Sequence, residues 1–184
     1  MNLKFLVVGL IIFLSTAATC AETFEKAGIS YSYITYEDMD PLVEILANKI
    51  KDSEHVFTGI VIITRGGLHA ANLLARKLKI KIFEIIGLES YGEDNSQKQI
   101  RVLKPLELKD GGKNWLIVDD LSDTGDTLRY MQTHFPNAMR ACLYVKPKGK
   151  DMAHFYAVEV KQNNWLTFAY EKTYEEFLNL KQNK

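Results

Sequence analysis

At 184 residues the chain has room for one domain and little more. Its 23 basic and 23 acidic side chains cancel, which gives no support to a general nucleic-acid-binding or membrane-coating role, since those leave a basic excess. The two cysteines, Cys20 and Cys142, form neither a CxxC pair nor a disulfide framework, and the four histidines lie far apart, so nothing points to structural zinc.

Residues 1–28 read as a segment outside the fold, and 29–184 as the domain. Lys4 precedes an unbroken apolar run over residues 5–14, and small residues follow to Ala21. That is the layout of a secretory signal peptide, and the run is short for a membrane span. Cys20 after Ala17-Ala18-Thr19 also suits lipid attachment, and a translational extension upstream of the true start is a third reading.

From Ile29 onward helix-like and strand-like segments alternate, the signature of an α/β fold with a mainly parallel central sheet flanked by helices. Asp40-Pro41 reads as a helix start, with Leu42, Ile45, Leu46 and Ile50 on one face. The run GIVIIT over residues 59–64 suits a strand buried on both sides. A helix is expected over 68–78 and a strand over 80–86. Residues 88–104 are polar and weakly periodic, and read as a mobile loop or flap. A third buried strand covers 115–118 and a helix 124–134, stopped by Phe135-Pro136. Strands over 141–145 and 156–160 and a helix over 174–180 complete the domain.

The most informative stretch is Leu116-Ile117-Val118-Asp119-Asp120-Leu121-Ser122-Asp123-Thr124-Gly125-Asp126-Thr127. An apolar strand enters a turn with three carboxylates, and a helix then opens on Thr-Gly-x-Thr. Unpaired amides at the helix start, aided by the helix dipole, suit a phosphate. Thr124 and Thr127 add hydroxyl donors, and Gly125 lets the backbone approach closely. Adjacent carboxylates would repel a phosphate, so they should face vicinal sugar hydroxyls and a Mg²⁺ ion, both of which want hard oxygen acceptors. A 5-phosphorylated ribose with a leaving group accounts for every residue type. A calcium loop from Asp120 would need glutamate where Met131 stands, and the GxxxxGK of a Walker loop is absent. The plain alternative is an acidic turn with Asp123 as a helix cap.

This segment resembles the phosphoribosyl-pyrophosphate (PRPP) motif of the type I phosphoribosyltransferases. The chain from about Ile29 to Glu171 is similar to their xanthine-guanine branch. The resemblance implies a central sheet with a small hood or flap. It implies that Asp119 and Asp120 hold the ribose hydroxyls, with Asp120 on the metal, and that Asp123 sits by N7 of a purine. Residues 123–127 would take the 5-phosphate. Asp126 departs from the family, which usually has a neutral or basic residue there.

Arg65-Gly66-Gly67, between a strand and a helix, corresponds to the family's pyrophosphate loop, which often carries a non-proline cis peptide. Its amides can meet pyrophosphate while Arg65 offers paired donors; the plain reading is a tight turn. Ser90-Tyr91 through Lys98 and Arg101 match the hood loop that closes over PRPP. Lys98 stands where the family tends to carry arginine, keeping the charge but losing the bidentate fork. Lys146, in Tyr144-Val145-Lys146-Pro147, resembles the lysine that donates to O6 of the base. Trp165-Leu166 resembles the pair that stacks on the purine and presents a carbonyl to its 2-position, although Trp165 could equally be core packing. Tyr170-Glu171 stands where the family has a second aromatic and an aspartate. Cys142 reads as core.

The resemblance therefore implies purine salvage, with PRPP and a 6-oxopurine base as substrates, Mg²⁺ as cofactor and no nucleic acid. A homo-oligomer, dimer or tetramer, is expected. The rival readings are a silent module of the same fold that senses PRPP or nucleotides, and a transferase for another base. PRPP is a cytosolic metabolite, so the domain is expected to face the cytosol, soluble or peripheral at the inner membrane face, whereas the N-terminus looks like an export signal.

Overall fold

The computed structural model describes residues 22–91 and 99–182. In chain order the elements are β1 (Glu22–Lys26), β2 (Ile29–Ile34), α1 (Tyr36–Asp52), β3 (Gly59–Thr64), α2 (Gly67–Leu78), β4 (Phe83–Tyr91), β5 (Gln99–Lys104), β6 (Trp115–Ser122), α3 (Asp126–His134), β7 (Met139–Val145), β8 (Phe155–Glu159), β9 (Asn164–Phe168) and α4 (Tyr174–Gln182). The main sheet runs β5-β4-β3-β6-β7-β8, parallel throughout except for β5, which returns antiparallel along β4.

The apolar runs read from the sequence are buried on both faces, as a parallel sheet requires. Alternate residues of one strand feed different cores. Ile60 and Ile62 join Leu116 and Val118 against Val43, Leu46, Ala47 and Ile50 of α1 and Ala70, Ala71 and Leu74 of α2. Val61, Ile63 and Ile117 face the other way, onto Leu128, Met131 and Phe135 around α3, with Cys142 buried among them. Helices thus cover both sides.

Strand order reverses between β3 and β6: the chain leaves β3 towards β4, and leaves β6 towards β7. Loops at such a switch point splay apart above the sheet and leave a crevice beyond the strand ends. Ile62 pairs with Val118, so Arg65-Gly66-Gly67 and Asp119-Asp120 emerge side by side although some fifty residues separate them in sequence.

Several expected boundaries move. Helix α1 starts at Tyr36, not at Asp40, because Thr35 and Asp38 form a reciprocal capping box that satisfies the first amides. Pro41 is carried inside the helix, on its exposed side. The strand expected over 80–86 is displaced to Phe83–Tyr91, and the polar stretch expected as a loop over 88–104 is largely the β4–β5 hairpin. β5 is an exposed edge strand that buries no face, so its sequence has no apolar period to read. Residues 92–98, and with them Lys98, lie outside the described residues.

A second sheet is three-stranded, in the order β1-β2-β9. β2 pairs parallel with β9 and antiparallel with β1. Of the segment 1–28 expected outside the fold, residues 22–28 are therefore inside it, as a strand and the turn that follows. Phe24 stacks on Tyr31 with ring centroids 4.9 Å apart and packs on Phe177 of α4. Lys26 Nζ donates to Leu180 O at 2.7 Å. Residues 1–21, which carry the signal-like run, lie outside the described residues, among which no helix is long and apolar enough to cross a membrane.

Candidate active site

The crevice above the switch point holds a cavity of about 460 Å³ lined by Thr64, Arg65, Gly66, Glu89, Ser90, Asp119, Asp120, Thr127, Tyr170 and Glu171. The Thr64–Arg65 peptide is cis. Both glycines that follow stand close to β6, and Gly67 lies against its backbone. A Cβ on Gly66 would stand 2.6 Å from the Asp120 carboxyl, and one on Gly67 would stand 2.3 Å from Val118 O. The pyrophosphate-loop candidate and the first two acids therefore line a single wall.

Asp119 is buried and Asp120, beside it, is half-buried. The Asp120 N–H donates to Asp119 Oδ1 at 3.1 Å, and the Leu121 N–H to Asp120 Oδ1 at 2.6 Å. Burial pushes the Asp119 carboxyl well above the usual carboxylate range, and the Asp120 charge adds to it. Burial raises Asp120 too, opposed by the Tyr170 hydroxyl, which donates to its Oδ2 at 2.5 Å. Tyr170 stacks on Phe168 at the end of β9, so the small sheet is tied directly to the acidic pair. Burial also raises Glu171, opposed in part by its bond from the Phe168 N–H and by the Arg65 charge.

A second recess of about 130 Å³ is lined by Ser90 and residues 121–128. Gly125 caps α3 with φ +84, and a Cβ there would meet Met152 at 2.8 Å, so this position favours glycine twice over. The Arg129 N–H closes the first helical bond to Gly125 O. The amides before it have no intrahelical acceptor and stand at the positive end of the helix. Asp126 does not simply point outward: its carboxylate accepts from the Thr124 hydroxyl at 2.7 Å and from Arg129 at 2.6 Å. Arg129 offsets the unusual acid, and Thr124 is engaged by it.

Asp123 and Lys146 meet because β6 and β7 end together. The Lys146 N–H donates to Ser122 O at 2.9 Å, and the Ser122 hydroxyl to Gly149 O at 2.8 Å. Lys146 Nζ then reaches Asp123 Oδ2 at 2.9 Å, its side chain only 5% exposed against 41% for Asp123. Asp123 is not the helix cap of the plain reading; that position is held by Gly125. Trp165 stands out from β9, 57% exposed and not core, while the Leu166 side chain is buried.

Arg65, Gly66, Asp119, Asp120 and Thr127 thus share one cavity, residues 123–127 form the adjoining recess, and Asp123 carries Lys146 at its edge. Trp165 and Leu166 line neither space. Sequence reasoning missed the Tyr170 hydroxyl on Asp120 and also Gln162, whose Nε2 donates to Asp123 Oδ1 at 2.7 Å. Tyr170 was legible as an aromatic but not as a donor. Gln162 lies in a polar turn with no local pattern to mark it.

Comparison with known proteins agrees with this geometry. Residues 36–175 match the model of the phosphoribosyl transferase domain. A xanthine-guanine phosphoribosyltransferase of Gluconobacter oxydans is 37% identical over 144 residues, covering 78% of this chain and 86% of that protein. One of Idiomarina loihiensis is 27% identical, covering 76% and 86%. Among solved structures, a purine phosphoribosyltransferase of Pyrococcus horikoshii superimposes with a TM-score of 0.63 at 27% identity, covering 77% of this chain and 94% of that one. The chain belongs to the phosphoribosyltransferase family, in its xanthine-guanine branch.

Proposed function

We propose that the protein transfers the 5-phosphoribosyl group from PRPP to N9 of guanine, xanthine or hypoxanthine, releasing pyrophosphate, as a purine-salvage enzyme. The observation that carries this reading is the Asp123–Lys146 pair near the cavity wall formed by Asp119 and Asp120. One end offers a proton acceptor and a donor to a base, the other suits a ribose and its leaving group.

In this reading the α3 amides and Thr127 hold the 5-phosphate, while Asp119 and Asp120 accept from the ribose hydroxyls. The bond from the ribose carbon to pyrophosphate breaks with its electrons leaving on oxygen, through an oxocarbenium-like centre. The N9 lone pair forms the new bond, and the N7 proton passes to Asp123. Lys146 donates to O6; the 6-amino group of adenine would set donor against donor. Arg65 and Lys98 draw charge from the departing pyrophosphate, and the crevice aligns the partners.

Two adjacent carboxylates, Asp119 buried and Asp120 half-buried, open on a cavity and fit Mg²⁺, which takes one or two protein carboxylates and completes its shell with water and phosphate oxygens. Asp120, with Asp119 beside it, would hold the ion. When bound it supplies charge neutralisation to the pyrophosphate. With PRPP as substrate, the domain is proposed to face the cytosol, soluble or peripheral at the inner membrane face, and to assemble as a dimer or tetramer.

The test is base competition with PRPP and Mg²⁺. 6-Oxopurines are expected to be consumed ahead of adenine, and Asp123→Asn to lower turnover by roughly 10²-fold. Preference for adenine would overturn the base assignment. Absence of turnover with any base, alongside intact PRPP binding, would instead favour a sensor.

A further inference from the structure

Gln162 occupies the turn between β8 and β9, outside both cavities described above. Its Oε1 accepts the Lys148 N–H at 3.1 Å, and its Nε2 donates to Asp123 Oδ1 at 2.7 Å. The first bond fixes the second, since only the amide oxygen can accept a peptide N–H and the nitrogen must then face the carboxylate. Asp123 Oδ2 is taken by Lys146 Nζ at 2.9 Å, so each carboxylate oxygen has one donor of its own.

The two donors do different work. An ammonium on a four-carbon stem is a point charge with rotatable protons, which constrains distance but hardly the plane of its partner. A planar amide, itself pinned by a peptide N–H, gives direction. Asp123 needs that, because its side chain stands on a loop with 41% of its surface exposed. When a base takes a Lys146 proton at O6, Gln162 is the donor whose hold on Asp123 does not change.

We infer that Gln162 is a positioning residue, setting the rotation of the Asp123 carboxylate so that a remaining lone pair faces N7 of the bound purine. The inference rests on the reading of Asp123 as the proton acceptor. It also gives the base-side turn a second task. Gln162 lies three residues before Trp165, so one short segment both aims the acceptor and leads into the aromatic expected on the purine. The turn does not depend on this side chain for its own shape: the Val160 N–H donates to Val145 O at 2.9 Å, and the Asn164 N–H to Lys161 O at 3.0 Å.

The experiment is a double-mutant cycle on kcat with PRPP and guanine saturating. Gln162→Ala is expected to lower kcat roughly ten-fold, the size of a lost hydrogen bond to a charged group, with KM for PRPP unchanged. Gln162→Glu keeps the shape but sets a second carboxylate against Asp123, and is expected to lose more than alanine. Asp123→Asn alone should lose roughly 10²-fold, and adding Gln162→Ala to it should cost nothing further. If Gln162→Ala costs the same factor in both backgrounds, or raises KM for PRPP as much as it lowers kcat, Gln162 is only a structural tie and the inference falls. Wild-type kcat in Gln162→Ala would overturn it as well. Wild-type turnover in Asp123→Asn would sink the acceptor reading first, whatever Gln162 does.

Discussion

Replacing Asp119 with asparagine should make the ligand-free protein more stable and the enzyme useless. Asp119 accepts the Asp120 N–H through Oδ1, and asparagine can keep that bond while losing the charge. Burial first, and the Asp120 carboxylate second, hold the Asp119 proton well above the usual range. Its folded pKa therefore exceeds its unfolded value of about 3.9. Between those two values the folded state binds more protons than the unfolded chain, so stability falls as pH rises through the window, and above it the whole cost is present. Two unit charges about 4 Å apart repel by roughly 4 kcal/mol at an effective dielectric of about 20. The Tyr170 hydroxyl and proton uptake relieve part of this, which leaves about 1–2 kcal/mol to recover.

For a domain of this length each kcal/mol moves Tm by roughly 2–4 °C, so Asp119→Asn should melt roughly 2–8 °C above the parent at pH 8, with the gap narrowing towards pH 5. Scanning calorimetry at both pH values, with and without Mg²⁺ and PRPP, reads the effect directly. Mg²⁺ with PRPP should raise the parent's Tm strongly and the variant's little. A variant that melts at or below the parent at pH 8, or one that keeps the full PRPP shift, would refute the claim that the acidic pair is maintained for its ligand against its own repulsion.

The Tyr170 hydroxyl donates to charged Asp120, so Tyr170→Phe should cost about 1–3 kcal/mol in denaturant melts, more at pH 8 than at pH 5; an equal loss at both would mean only packing was lost. Asp126→Asn should bind a purine nucleoside 5′-monophosphate roughly two- to five-fold tighter by calorimetry, because it removes a negative charge from the helix start that receives the phosphate; weaker binding would show that Asp126 helps to hold the loop. Gly67→Ala, whose Cβ would fall 2.3 Å from Val118 O, should cost about 1–3 kcal/mol, since backbone must move. A chain begun at Ala21 should melt like the full protein, whereas one begun at Ile29 loses Phe24 from Tyr31 and Phe177 and should lose roughly 2–5 kcal/mol; equal melting of the two would show that β1 adds nothing.

The parts of this fold that could be read from sequence are those where one physical demand dominates. β3 and the start of β6 are buried on both faces, so GIVIIT and WLIV announce themselves. The acidic turn was legible because its acids, threonines and glycine have few joint uses. The small sheet was not legible. ISYSYI in β2 sets serines between larger side chains, yet Ser32 is buried beside Tyr33 and Ile34, and its partner β9 lies some 130 residues away. β1 was lost for a related reason, since its pairing with β2 comes from a five-residue strand too short to declare itself next to the apolar run upstream.

At the site the division falls between where a residue sits and which groups it touches. The order of loops around a parallel sheet is fixed by strand order, so motifs recognised separately were bound to converge once β3 and β6 paired. What sets each group's chemistry comes from across the fold: Tyr170 reaches Asp120 from 50 residues away and Gln162 reaches Asp123 from 39. A hydrogen bond of that kind needs one donor at one angle, and many sequences could supply it, so it leaves no periodic trace. Asp126 shows the same limit from the other side. Alone it looks like an error in a phosphate loop, and only its contacts with Thr124 and Arg129 show how its charge is absorbed within the first turn of the helix.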